Sequence, residues 1–114
     1  MVLYRPVGPK ELELIRQSGN IAFPPRLPEQ PIFYPVLNEE YASEIAEKWN
    51  AKRGDGKGYV TRFVVEDAYA ALFEVHVVGN RTHRELWIPA EELPAFNQHI
   101  IGKIEVIREF SAET

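Results

Sequence analysis

An imidazole and a carboxylate, His83 and Glu85, stand two residues apart at the start of the apolar run Leu86-Trp87-Ile88-Pro89. Side chains alternate between the two faces of a strand, so positions 83 and 85 point the same way. A third chemically capable group, Arg5, closes the short run Val2-Leu3-Tyr4 just before Pro6. A guanidinium where strand meets loop is well placed to grip an anion such as pyrophosphate. Phe33 and Tyr34 add aromatic surface ahead of another proline, Pro35. This set suits a reaction that develops positive charge on a sugar: the carboxylate holds a ribose hydroxyl and favours an oxocarbenium-like transition state. The plainer alternative makes Glu85 an edge-strand charge, His83 a turn residue and Arg5 a surface arginine.

Other chemistries find less support. The three histidines, His76, His83 and His99, fall on different expected elements with no i, i+4 pair, so no metal site is expected. Ser18, Ser43 and Ser111 lack a nucleophile-elbow context, and the absence of cysteine removes thiolate chemistry and disulfides. Arg53-Gly54-Asp55-Gly56-Lys57-Gly58 is glycine-rich but lacks the Gly-Lys-Ser/Thr ending of a phosphate loop and precedes a strand. It is expected to be a flexible loop.

The 114 residues, 45% hydrophobic and 26% charged, suit one domain with its own core. A net charge of −4 argues against a nucleic-acid partner, which calls for a basic surface. The first residues lack a signal-peptide layout and no apolar run approaches membrane-spanning length, so a soluble cytoplasmic protein is expected.

Several elements must position these groups. Residues 2–5 form a strand, and residues 9–18 a helix opened by Pro9, stopped by Gly19 and carrying Leu12 and Ile15 on its apolar stripe. Residues 21–31 hold four prolines and must be an extended, stiff loop in which Phe23 and Leu27 seek burial. A strand at 32–36 leads to a helix at 38–50, capped by Asn38, whose stripe Tyr41, Ile45 and Trp49 is expected to be core. Strands at 59–65 and 73–78 flank a short helical turn, and a tight connection at 79–80 leads to the strand at 83–89. One or two helical turns broken at Pro94 follow, then a last strand at 104–107. About six strands and three short helices without regular βα alternation indicate an α+β fold with a largely antiparallel sheet.

The order of these elements, with the phrases Leu-Tyr-Arg-Pro-Val-Gly, Phe-Pro-Pro-Arg-Leu-Pro-Glu-Gln-Pro and Leu-Trp-Ile-Pro-Ala-Glu-Glu-Leu, resembles the ADP-ribosyltransferase-like fold. More closely, the chain resembles short bacterial proteins labelled "ADP-ribosylation/crystallin J1". That resemblance implies NAD as substrate. It makes Glu85 the catalytic glutamate on the nicotinamide ribose and Arg5 the residue that orients NAD. His83 would face the acceptor, and Tyr34 or Phe33 would lie near the nicotinamide ring. Where the family's arginine–serine–glutamate branch has a hydroxyl-rich second motif, this chain reads Phe33-Tyr34-Pro35-Val36. Two expectations follow: an NAD-dependent transferase, or a catalytically inactive module of the same fold that binds a protein or small ligand. A homodimer paired through an exposed strand is a third.

Overall fold

The computed structural model describes residues 1–52, 56–79 and 83–111. The expected loop at 53–58 and connection at 79–80 lie partly outside them. The central sheet orders β1 (Val2–Val7), β3 (Lys57–Val65) and β7 (Ile100–Ser111), with β3 antiparallel to both neighbours. Two smaller antiparallel pairs join β2 (Ile32–Phe33) to β6 (Ile88–Pro89) and β4 (Val75–Val77) to β5 (Arg84–Leu86). The helices are α1 (Pro9–Gln17), α2 (Glu39–Ile45), α3 (Asp67–Ala70) and α4 (Leu93–Gln98). The fold is therefore α+β with antiparallel strands.

The sheet is packed on both faces. Leu3 and Val7 of β1 and Phe63 and Val65 of β3 face a core filled by Leu12 and Ile15 of α1, Phe23, Phe33, Leu86, Ile88, Leu93 and Phe96. On the other face Val36 and Val60 meet Ala42 and Ala46. Close approach at this second face requires a glycine: a Cβ on Gly58 would lie 2.2 Å from the Ala46 carbonyl oxygen.

Several expected boundaries shift for identifiable reasons. The helix at 38–50 is α-helical only through Ile45 and continues as a π-helix, Ala46–Ala51. Pro94 does not break its helix but lies in the first turn of α4, where its missing N–H costs nothing. The last strand is twelve residues long, because Gly102 at φ 75° absorbs a bulge opposite β3 instead of ending the pairing. The expected strand at 83–89 divides into β5 and β6, which pair with different partners. Trp87 sits at the break and is 43% exposed, not buried with Leu86 and Ile88.

Residues 35–37 hold β1 and β5 together. Tyr4 and Val36 exchange backbone bonds of 2.9 and 2.7 Å, while Leu37 N donates to Arg84 O and Leu86 N to Pro35 O. Tyr4 thus pairs with Val36 and Val36 with Glu85. Two residues eighty positions apart, Arg5 and Glu85, become near neighbours. No helix among the described residues is long and apolar enough to cross a membrane.

Candidate functional site

Glu85 is buried, at 7% exposure, and both of its oxygens are engaged. The Tyr41 hydroxyl donates to Oε1 at 2.8 Å and the Trp87 indole N–H to Oε2 at 2.7 Å. Burial demands such partners, since a carboxylate without donors would forfeit its hydration uncompensated. Alternation along the strand supplies the Trp87 contact, and α2 supplies Tyr41 from across the second core. Burial and the hydrogen bond to Glu85, with the charges of Glu85 and Glu44, push the Tyr41 hydroxyl up to about 12. The phenol therefore stays a donor at neutral pH.

The network extends at both ends. The His83 ring stacks on Tyr41 at 4.3 Å with 10° between planes, and its Nε2 lies 3.1 Å from Glu44 Oε2. His83 and Glu85 therefore do share a side of the chain, as the period of two requires. At the other end His76, paired across the ladder from Glu85, stacks on Trp87 at 3.7 Å. Tyr34 meets Trp87 edge-on at 6.3 Å.

A cleft opens over this carboxylate. One part, of about 290 Å³, is lined by Arg5, Tyr34, Val36, Trp49, Asn50 and Glu85 among others. A larger part of about 870 Å³ is lined by Tyr41, Glu44, Lys48 and His83, and shares Tyr34, Ile45 and Trp49 with the first. Asn50 carries a buried Oδ1 with no hydrogen-bond partner. The expectation that Trp49 is core is corrected: it is 54% exposed and walls the cleft, carried there by the π-helical turn. Such turns are frequent at functional sites.

Arg5, Tyr34, His83 and Glu85 are brought to this cleft; Phe33 is not. Its ring is fully buried in the main core, beneath the Arg5 guanidinium at 4.5 Å. Arg5 itself shares a face with Leu3 and Val7 and is only 8% exposed, so it needs a counter-charge. Glu11 of α1 provides it through a fork: Arg5 Nε donates to Oε2 at 2.8 Å and Nη2 to Oε1 at 3.1 Å. Nη1 donates to the Tyr34 carbonyl at 3.3 Å. Arg5 thus lines the cleft while its fork is held by Glu11, an arrangement different from a free anion clamp.

Sequence reasoning missed Tyr41, Trp87, Trp49, Glu44 and Glu11 as site residues. Trp87 was within reach, being two positions beyond Glu85 on the same face. Glu11 and Glu44 carried no comparable signal, because their roles depend on which strands α1 and α2 meet. Comparison of the chain with family models, with curated proteins and with solved structures returned no match.

Proposed function

We propose that the cleft over Glu85 binds NAD or a closely related nucleotide on an ADP-ribosyltransferase-like fold, and that the protein transfers ADP-ribose to an acceptor. In this reaction the nicotinamide–ribose bond breaks and nicotinamide leaves with the electron pair. The anomeric carbon then takes a lone pair from the acceptor, which gives up its proton. Glu85 stabilises the positive charge that develops on the ribose, at a distance from bulk water that strengthens the interaction. Tyr41 and Trp87 hold the carboxylate in place, so no reorganisation is required as charge develops. The aromatic walls Tyr34 and Trp49 offer faces to a planar, positively charged ring. His83, oriented by Glu44, stands on the acceptor side.

The observation that carries this reading is a buried carboxylate, fixed by two donors, at the base of a cleft walled by aromatic rings. A second reading is the inactive binding module of the same fold. It is favoured by one specific feature, the engagement of Arg5 by Glu11, which removes the expected phosphate clamp.

Thermal unfolding with and without millimolar NAD, together with a nicotinamide-release assay, tests the proposal. Saturation at ~100 times the dissociation constant raises stability by roughly 2.7 kcal/mol, a readily visible shift. A shift with release supports the transferase; a shift without release supports the module; neither in wild-type protein refutes NAD as the ligand.

A further inference from the structure

The proline-rich loop carries a second cation, Arg26, whose state contrasts with that of Arg5. Its Nε is buried and has no hydrogen-bond partner. Its guanidinium lies over the Phe33 ring at 6.0 Å, while that of Arg5 lies over the same ring at 4.5 Å. Two cations thus converge on one aromatic ring, with the Glu11 carboxylate bonded to Arg5 and lining the same depression as Arg26. Both Glu11 oxygens already accept from Arg5. Burial and the neighbouring Arg5 lower the Arg26 pKa, opposed by Glu11 and Tyr34.

Beside it is a depression of about 220 Å³ lined by Lys10, Glu11, Pro24, Pro25, Arg26 and Gln30, with two leucines. Lys10 and Arg26 outnumber Glu11 there, and Glu11 is neutralised by Arg5, so the site is cationic in a chain of net charge −4. Pro24, Pro25 and Pro28 restrict the loop that carries Arg26, so little entropy is lost in holding the guanidinium ready. Gln30 lines both this depression and the larger part of the cleft, which makes the two neighbours.

We infer that Arg26, with Lys10, is the anion anchor of the cleft and takes a phosphate or diphosphate group. An anion in the depression would meet the charge of Arg26 and Lys10 together and relieve the repulsion between the two guanidinium groups. The inference deepens the nucleotide reading of the cleft and rests on it for a diphosphate rather than another anion. Arg5 keeps the strand and α1 together, and Arg26 holds the ligand.

Calorimetric titration with inorganic pyrophosphate at fixed ionic strength tests this directly. Wild-type protein binds; Arg26→Gln binds at least about tenfold more weakly, since one charge-assisted fork is lost. Arg26→Lys falls between, keeping the charge without the fork. Glu85→Gln binds pyrophosphate as wild type does, although its nicotinamide release falls by roughly 10²–10³. Without ligand, Arg26→Gln melts at or above the wild-type temperature, because a crowded, partly desolvated charge has been removed. Absent binding to wild type, equal binding to Arg26→Gln, or a lowered melting temperature of that variant overturns the assignment. If wild-type protein binds pyrophosphate through Arg26 yet releases no nicotinamide, the anion site stands and the transferase reading falls.

Discussion

Two clusters in this molecule are built from the same three residue types. At the cleft, Tyr41 donates to Glu85 and stacks on His83. At the far end of the chain, Tyr69 donates to Glu92 at 2.6 Å and stacks on His99 at 3.8 Å, with 4° between the rings. Burial and the carboxylate raise the pKa of both phenols. The surroundings differ. Tyr69 packs edge-on against Phe73 and tilted against Phe96, and His99 Nδ1 turns to the Ala95 carbonyl, so that cluster seals the rim of the main core. Glu85 receives a second donor from Trp87 and lines a cleft. A tyrosine–glutamate–histidine set is therefore no site by itself. The second donor and the open space above it distinguish the two.

The largest expected effect separates the carboxylates. Glu85→Gln lowers nicotinamide release by roughly 10²–10³, the range for loss of one preorganised electrostatic group, whereas Glu92→Gln leaves it within about twofold. Equal losses in single-turnover assays would dissolve the distinction between the clusters.

The phenols sharpen it. Tyr41→Phe and Tyr69→Phe each remove one hydrogen bond to a carboxylate, and each lowers stability by about 1–2 kcal/mol in urea unfolding. Only Tyr41→Phe also slows turnover, by about tenfold, since it frees Glu85 to move. A comparable loss in Tyr69→Phe would assign its cluster a role in the site.

Alkaline titration probes what the clusters have in common. A phenol whose folded pKa is raised holds its proton more tightly when folded than unfolded. Its contribution is complete below the ordinary value of 10.0 and is lost as pH climbs towards about 12 for Tyr41. Urea midpoints at about pH 9 and about pH 11 should fall steeply in wild type and less in the double variant Tyr41→Phe/Tyr69→Phe. An unchanged slope would mean that neither hydroxyl titrates with folding.

The smallest effect concerns the supporting helices. Asn38 Oδ1 accepts from Tyr41 N at 2.7 Å and caps α2, while α3, which carries Tyr69, has no side-chain cap. Asn38→Ala should cost about 1 kcal/mol of stability, and calorimetric unfolding would read it. A cost near zero would mean that packing on the second core alone holds Tyr41 in place.

Much of this was legible in the residues. Leu12 and Ile15 on one stripe, the Asn38 cap and the shared side of His83 and Glu85 follow from rules spanning a few residues; of the proline loop's two apolar anchors, Phe23 is buried but Leu27 is 56% exposed. The Tyr41, Ile45 and Trp49 stripe had the right period, yet all three residues line the cleft, and only Tyr41 and Ile45 also pack on the second core. Local periodicity says that a face is apolar, not what covers it. The shared side of Trp87 and Glu85 was legible from spacing, but the exposure of Trp87 was not, because it depends on the change of partner between β5 and β6.

The sequence by itself determined an α+β chain of antiparallel strands, and it presented Glu85 as a carboxylate on an apolar strand. Propensity, alternation and capping act within a turn or a strand, and they need no partner. Only the tertiary structure decided which arginine has its charge answered. Arg5 shares the buried face of Leu3 and Val7, and α1 happens to bring Glu11 against it. Arg26, on a loop that no local rule orients, is left with an N–H unmet. The physical reason is that a charge's role is set by its counter-charge, and that counter-charge arrives from a distant part of the chain.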